Sequence, residues 1–297
     1  MYHMKEKTIF ALGFFDGVHI GHQRLLGKCV EMAKAQGCRS AAITFDRHPQ
    51  ACFVAEPPAL INTVADRKML LEQYGMEEIV VYPVTKEVMS TPWREFLTNL
   101  TKNGAAGFVC GYDFRFGSKG EGDAEKLQSF CAEKGLSCAV VPEQVLEGVR
   151  ISSTYIRELM ESGRMAEAVR FLGHPHVLTG TVAPGRQLGR TIGIPTANIA
   201  IPQGVILPKR GVYACKCAVD GVEFVAVTNV GSRPTVEGHE VRAESWLLDF
   251  AGDLYGKELT LRFYEFLRPE EKFASLEELK AQIQKDAIQA QEFFDNK

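Results

Sequence analysis

His19 and His22 stand three residues apart in GFFDGVHIGHQ (13–23), directly after the apolar run TIFAL. That spacing puts both imidazoles on one side of a helix start, over backbone N–H groups that have no partner inside the helix. Such an end carries partial positive charge and suits an anion. Gly13, Gly17 and Gly21 remove side chains where the backbone must approach closely. A second stretch, RISSTYIR (150–157), offers the hydroxyls of Ser152, Ser153 and Thr154, with Arg157 adding positive charge one turn on. Taken alone, that stretch reads equally as an N-cap.

The elements that must position these residues alternate. TIFAL (8–12), SAAITF (40–45), EEIVVYPV (77–84), GFVCG (107–111) and SCAVVP (137–142) are apolar runs, separated by helical periodicity over 22–36, 64–74, 92–102 and 123–134. The pattern predicts a parallel sheet with helices on its faces and ligands at the C-terminal strand ends, where GFFDGVHIGH lies. After residue 178 the chain changes to HVLTGTV, GVYACKCAV, VEFVAVTNVG, AESWLLDF and ELTLRFYEFL, short strands that predict an antiparallel barrel or sandwich. A closing helix follows, with Ser275 and Glu278 as a capping box and Leu276, Leu279, Ile283, Ala287 and Ala290 as one stripe. The boundary is expected within GHPHVLTG (173–180), giving domains 1–178 and 179–297.

At 297 residues both domains are large enough for their own cores. Composition is 45% hydrophobic and 24% charged with a formal net charge of −3, which does not favour nucleic acid as a partner. No apolar run approaches the roughly 20 residues that span a bilayer, so no membrane is expected. MYHMKEKTIFAL lacks a signal-peptide layout, which points to the cytoplasm. The eight cysteines form no CxxC pattern, and Cys215 and Cys217 would alternate across one strand. Reduced, mostly buried thiols are the expectation. No surface stripe marks an interface, so the oligomeric state stays open.

GFFDGVHIGH resembles the HxGH signature of the nucleotidyltransferase superfamily. TFDRHP (44–49), CGYDFRFG (110–117) and RISSTYIR follow in the order seen in bacterial bifunctional riboflavin kinase/FMN adenylyltransferases. GRTIGIPTANI (189–199), NVGSRPTV (229–236) and LLDFAGDLYGK (247–257) resemble the riboflavin kinase module of the same proteins. The resemblance covers nearly the whole chain. It implies a Rossmann-like α/β nucleotidyltransferase domain, then an antiparallel β-barrel kinase domain with a C-terminal helix. The implied activities are phosphorylation of riboflavin to FMN and adenylylation of FMN to FAD, both with ATP and Mg²⁺. His19 and His22 would then contact the ATP phosphates, and Gly13, Phe14, Asp16, Gly17 and Gly21 would frame the nucleotide. Asp113 and Arg115 would lie at the flavin side, with the neighbouring aromatics read as packing sooner than as flavin stacking. Arg47 stands where the family commonly has Pro, and Tyr155 where a further Arg is common, so phosphate-binding charge is shifted rather than lost.

In the kinase half no Walker A is present, and Gly185, Gly189 and Gly193 read as a flap over the nucleotide. PTAN (195–198), which alone would read as a turn, implies Thr196 and Asn198 as hard oxygen ligands for Mg²⁺. A hydroxyl nucleophile must lose its proton, and Glu244 matches the family's base. Asn229 and Arg233 would shape the flavin pocket, whereas Asp249, Asp253 and Tyr255 order a turn. Two other readings are a nucleotidyltransferase for another substrate with a flavin-binding barrel, and a non-enzymatic flavin sensor.

Overall fold

The computed structural model describes residues 6–183, 193–235 and 238–296, without the side chains of 232–235 and 238–240. Its contacts divide into two units, one reaching Leu60 and resuming at Val64–Ser153, the other made of Ile61–Thr63 and the chain from Thr154. Asn62 is joined to the second unit by its amide, which donates to the Val177 carbonyl at 3.2 Å.

In the first unit, β1 (Thr8–Leu12), β2 (Arg39–Phe45), β3 (Glu78–Tyr82), β4 (Ala105–Gly111) and β5 (Ser137–Val141) form one sheet in the order β3-β2-β1-β4-β5. Every neighbouring pair is parallel. The central strand is buried along its whole length, which is why Ile9–Leu12 is continuously apolar rather than alternating. Helices α1 (Ile20–Gln36), α2 (Val64–Gln73), α3 (Lys86–Met89), α4 (Trp93–Lys102) and α5 (Ala124–Lys134) connect the strands. Phe10 and Leu12 pack in one cluster with Leu97 and Leu100 of α4 and Leu127 and Phe130 of α5. Cys29 of α1 reaches the Ile9 carbonyl at 3.3 Å. A short hairpin, β6 (Val145–Leu146) and β7 (Val149–Arg150), turns through Glu147 and Gly148 with φ of 54° and 78°. Both positive angles suit the twist of a two-residue hairpin loop.

Helices α6 (Ser153–Ser162) and α7 (Met165–Leu172) follow. The sequence assigns them to the first domain, but from Thr154 they count with the second unit. That unit holds β8 (His176–Ala183), β9 (Ala197–Ala200), β10 (Gly211–Val219), β11 (Val222–Thr235), β12 (Gly238–Leu247) and β13 (Glu258–Arg268). They close into an antiparallel barrel in the order β10-β11-β12-β9-β8-β13. The expected turn at PTAN is corrected: Ala197 and Asn198 begin β9, paired with Ser245 and Glu244. The run is too short for a periodicity to show.

α8 (Leu276–Asp295) covers the outer face of the barrel, where Ala287 and Ala290 pack with Val212, Ala214, Val227 and Trp246. Its start is capped as expected: Ser275 Oγ accepts the Glu278 N–H at 3.1 Å. The Glu278 carboxylate reaches one residue further back, to the Ala274 N–H at 3.0 Å. Leu276 leaves the expected stripe and is 44% exposed. Arg268 of β13 pins the helix through two parallel contacts of 2.8 Å to the buried Asp286 carboxylate, a fork geometry only Arg supplies. No helix among the described residues is long and apolar enough to cross a membrane.

His176 lies inside this barrel unit, with its ring 5.5 Å from that of Phe263. Burial, and then His174, push it down to about 3. The folded state therefore holds it neutral, while the unfolded chain protonates it below about 6.5. Its contribution is complete above that pH and is lost as pH falls toward 3. The barrel should lose about 2 kcal/mol from this residue between pH 7 and pH 5. Urea unfolding of a His176→Phe variant should lack that component; an unchanged pH slope would refute the assignment.

Candidate active sites

Between Leu12 and Ile20 the chain turns from the central strand into α1. Phe15, Gly17 and Val18 are all left-handed, with φ of 58°, 81° and 40°. For a β-branched valine this is strained backbone, held because Phe15 and Val18 are both fully buried. A Cβ on Gly13 would come within 2.8 Å of the Phe15 ring, so glycine is needed there. His19 caps α1 with its own ring: Nδ1 accepts the His22 N–H at 3.2 Å. The two imidazoles stack, with centroids 3.6 Å apart and planes 10° from parallel. His22 Nδ1 is buried with no hydrogen-bond partner. Burial first, then the neighbouring His19 and Arg67, hold His22 well below the usual imidazole range. The site thus presents a neutral imidazole at the positive end of a helix.

The buried Asp16 offers its carbonyl to this turn's support, accepting from Ser153 Oγ at 2.8 Å. The hydroxyl proton of Ser153 is therefore used to anchor the loop. Ser152 directly precedes α6; Thr154 on that helix is exposed and Arg157 half-buried. The Tyr155 ring packs edge-on to Phe171 with centroids 5.0 Å apart.

Beside the turn, at the C-terminal strand ends, opens a cleft of about 640 Å³. It sits where the strand order reverses between β1 and β4, the place such sheets bind ligands. Gly13, Phe14, Phe45 and Tyr82 line one side; Asp113, Phe114, Arg115 and Phe116 line another. Phe114 and Phe116 stack with ring centroids 5.7 Å apart, and both line the cleft. Asp113 pairs with Arg150, and Arg115 with Asp123 at 3.2 Å. Arg47 donates to the Val84 carbonyl at 2.9 Å. His48 stands edge-on to Phe14, with ring centroids 5.3 Å apart. Beneath Phe14 lies Arg67, which the sequence reading missed because it sits among charged residues in a short helix without a clear apolar face. Burial lowers its pKa, opposed by the carboxylates of Asp16 and Asp46.

In the barrel, Asn198, Glu244 and Asn229 stand directly opposite one another on β9, β12 and β11. Opposed residues share a face, so the three form one lateral row. Asn198 is 4% exposed, and its Oδ1 is buried without a hydrogen-bond partner. Ala197 and Ser245, which alternate with the row and face the other way, line with Thr196 a cavity of about 290 Å³ bordered by the loop Phe250–Tyr255. Asp253 orders that loop as expected, accepting the Tyr255 N–H at 3.0 Å. Glu270, which carried no signal in sequence, lies 3.4 Å from the Asn229 amide. Gly185 and Gly189 lie outside the described residues, as does the side chain of Arg233, whose backbone pairs with Glu240.

Comparison with known proteins fits this geometry. Residues 2–155 match the family model of FAD synthetase, and residues 172–294 that of riboflavin kinase. Bifunctional riboflavin kinase/FMN adenylyltransferases from Listeria monocytogenes and Bacillus subtilis are each 34% identical, over 96% and 98% of this chain and 92% and 94% of theirs. The chain belongs to the bifunctional riboflavin kinase/FMN adenylyltransferase family. The Escherichia coli K12 member is 35% identical over 98% of this chain and 94% of its own. A crystal structure from Streptococcus pneumoniae, described as a macrolide-efflux protein, superposes with a TM-score of 0.87 at 29% identity, covering 97% of this chain and 95% of that one. As a member of the family, the enzyme phosphorylates riboflavin to FMN with ATP, and adenylylates FMN to FAD with release of pyrophosphate.

The state of His22 is open to direct measurement. In the free enzyme its ring nitrogens should give neutral-imidazole NMR signals at about pH 6.5, where an unperturbed histidine is half protonated. Added ATP should raise its pKa, because a nearby anion favours the charged form. A His22 titration indifferent to ATP would place the phosphates elsewhere.

Proposed function

We propose that adenylyl transfer takes place in residues 1–178, with the FMN flavin in the aromatic cleft and the ATP phosphates at the start of α1. A phosphate oxygen of FMN is already a competent nucleophile, so the residues need only align it with the α-phosphorus and stabilise developing charge. His19 and His22 supply that stabilisation, and the glycine-framed turn brings backbone beside the nucleotide. Asp113 and Arg115 border the flavin end of the cleft.

The kinase is assigned to residues 179–297, with Glu244 taking the proton of the riboflavin 5′-hydroxyl and Asn229 and Arg233 shaping the flavin side. Among the described residues no group of three or more His, Cys, Asp or Glu could hold a metal ion. A Mg²⁺ here would rely on neutral oxygens, and the unpartnered Asn198 Oδ1 beside Thr196 fits that demand. Thr196 and Asn198 would hold it, and it would neutralise charge on the ATP phosphates. We place both activities in the cytoplasm; all eight cysteines are free, which suits a reducing compartment.

The observation that carries this assignment is the separation of the two residue sets: the His19–His22 stack in one unit, the Asn198–Glu244–Asn229 row in the other. Single substitutions should therefore separate the activities. Glu244→Gln should lower FMN formation by roughly 10²–10⁴-fold, the usual loss for a general base. The same variant given FMN should make FAD at a near-normal rate. His22→Ala should do the reverse, accumulating FMN and losing on the order of 10²-fold or more in FAD synthesis. Chromatographic separation of the flavins reads both steps. If folded Glu244→Gln failed to convert supplied FMN, the two-site assignment would be wrong.

A further inference from the structure

Arg67 on α2 has no exposed surface and is the largest fully buried side chain among the described residues. Burying a guanidinium is unfavourable unless its donors are used. Here two of its three nitrogens are used on backbone: Nη1 donates to the Phe14 carbonyl at 3.2 Å and Nη2 to the Phe45 carbonyl at 2.6 Å, while the buried Nε has no hydrogen-bond partner. These carbonyls lie just beyond β1 and at the last residue of β2, neighbouring strands whose ladder is ending there. A planar fork can bridge two such acceptors, which an ammonium on a flexible stem cannot do with the same geometry. The guanidinium also lies 4.7 Å from the centroid of the Phe14 ring. Thr44 Oγ1 donates to the same Phe14 carbonyl at 2.6 Å.

Phe14 is thus gripped at its carbonyl from two elements and at its ring from below, while that ring forms part of the cleft wall. The next residue opens the strained turn that ends at His19. We propose that Arg67 is a positioning residue for adenylyl transfer, acting through Phe14 to set both the cleft wall and the register of the turn that presents His19 and His22. The proposal rests on the assignment of the cleft to the flavin of FMN. Arg67 does not line the cleft, so its effect on the reaction is carried by the backbone it holds.

The test is steady-state kinetics on Arg67→Met, Arg67→Lys and Thr44→Val, with circular dichroism and thermal melting of each variant as the control for folding and riboflavin phosphorylation by the same chain as the control for the other site. Arg67→Met should raise the KM for FMN about tenfold and lower kcat for FAD synthesis by a similar factor, since an ångström of misplacement costs up to about 100-fold. Riboflavin phosphorylation should stay within about twofold, because its residues lie in the other unit. Arg67→Lys keeps the charge without the fork and should recover only part of the loss; full recovery would mean that charge alone matters and would overturn the proposal. If Arg67→Met failed to fold, Thr44→Val would decide, since it frees the same carbonyl with Arg67 in place. A KM for FMN unchanged in Thr44→Val and in any folded Arg67→Met would overturn it as well. Met89→Trp, which fills the cleft from α3, tests the underlying assignment separately. If it left FMN binding intact, the flavin would lie elsewhere and the cleft reading would fail whatever Arg67 does.

Discussion

Everything in the first unit depends on how the chain leaves its central strand. β1 has neighbours on both sides, so its end cannot drift, and the sheet order reverses beside it. The left-handed backbone at Phe15 and Val18 is unfavourable taken alone, and it persists because both side chains are sealed in the core. From that turn follow the cap formed by His19, the stacking of His22 upon it, and the neutral state of the His22 ring. A looser turn would leave the same residues in sequence without bringing the two rings face to face.

The second unit solves a different problem. A closed barrel has no free edges, so its strands hold cross-strand neighbours in fixed register. Asn198, Glu244 and Asn229 come from three segments far apart in sequence, and only the register of β9, β12 and β11 makes them adjacent. A shift of one residue in β12 would turn Glu244 to the opposite face and bring in Ala243 or Ser245. Hydrogen bonding between Thr228 and Ser245 at 2.8 Å, on the other face of the same strands, helps to lock that register.

Much of this was legible in the sequence. The parallel strands and their helices announced themselves because apolar runs and helical periods are long enough to count, and the capping box at Ser275 is a local chemical signal. β9 was not legible: four residues starting inside PTAN carry no period, and their strand character comes only from β8 and β12 on either side. Arg67 was not legible either. An arginine within the charged run Asp66–Lys68 reads as a solvated face, and its burial is decided by where β1 and β2 happen to end. The same holds for Glu270, whose nearness to Asn229 depends on the path from β13 to α8. Residues that act through local pattern can be found in one dimension, whereas those that act through a tertiary accident of strand ends cannot.

The Arg268–Asp286 fork has a consequence for how the barrel is made. α8 follows the barrel strands in chain order, so on the ribosome Val212, Ala214, Val227 and Trp246 emerge well before the helix that shields them. Until α8 clears the exit tunnel the nascent barrel carries a bare apolar stripe, and Arg268 has no carboxylate to receive it. Synthesis therefore passes through a stage in which this unit is a client for chaperones or a target for aggregation. Arrival of Asp286 ends that stage by locking the helix down.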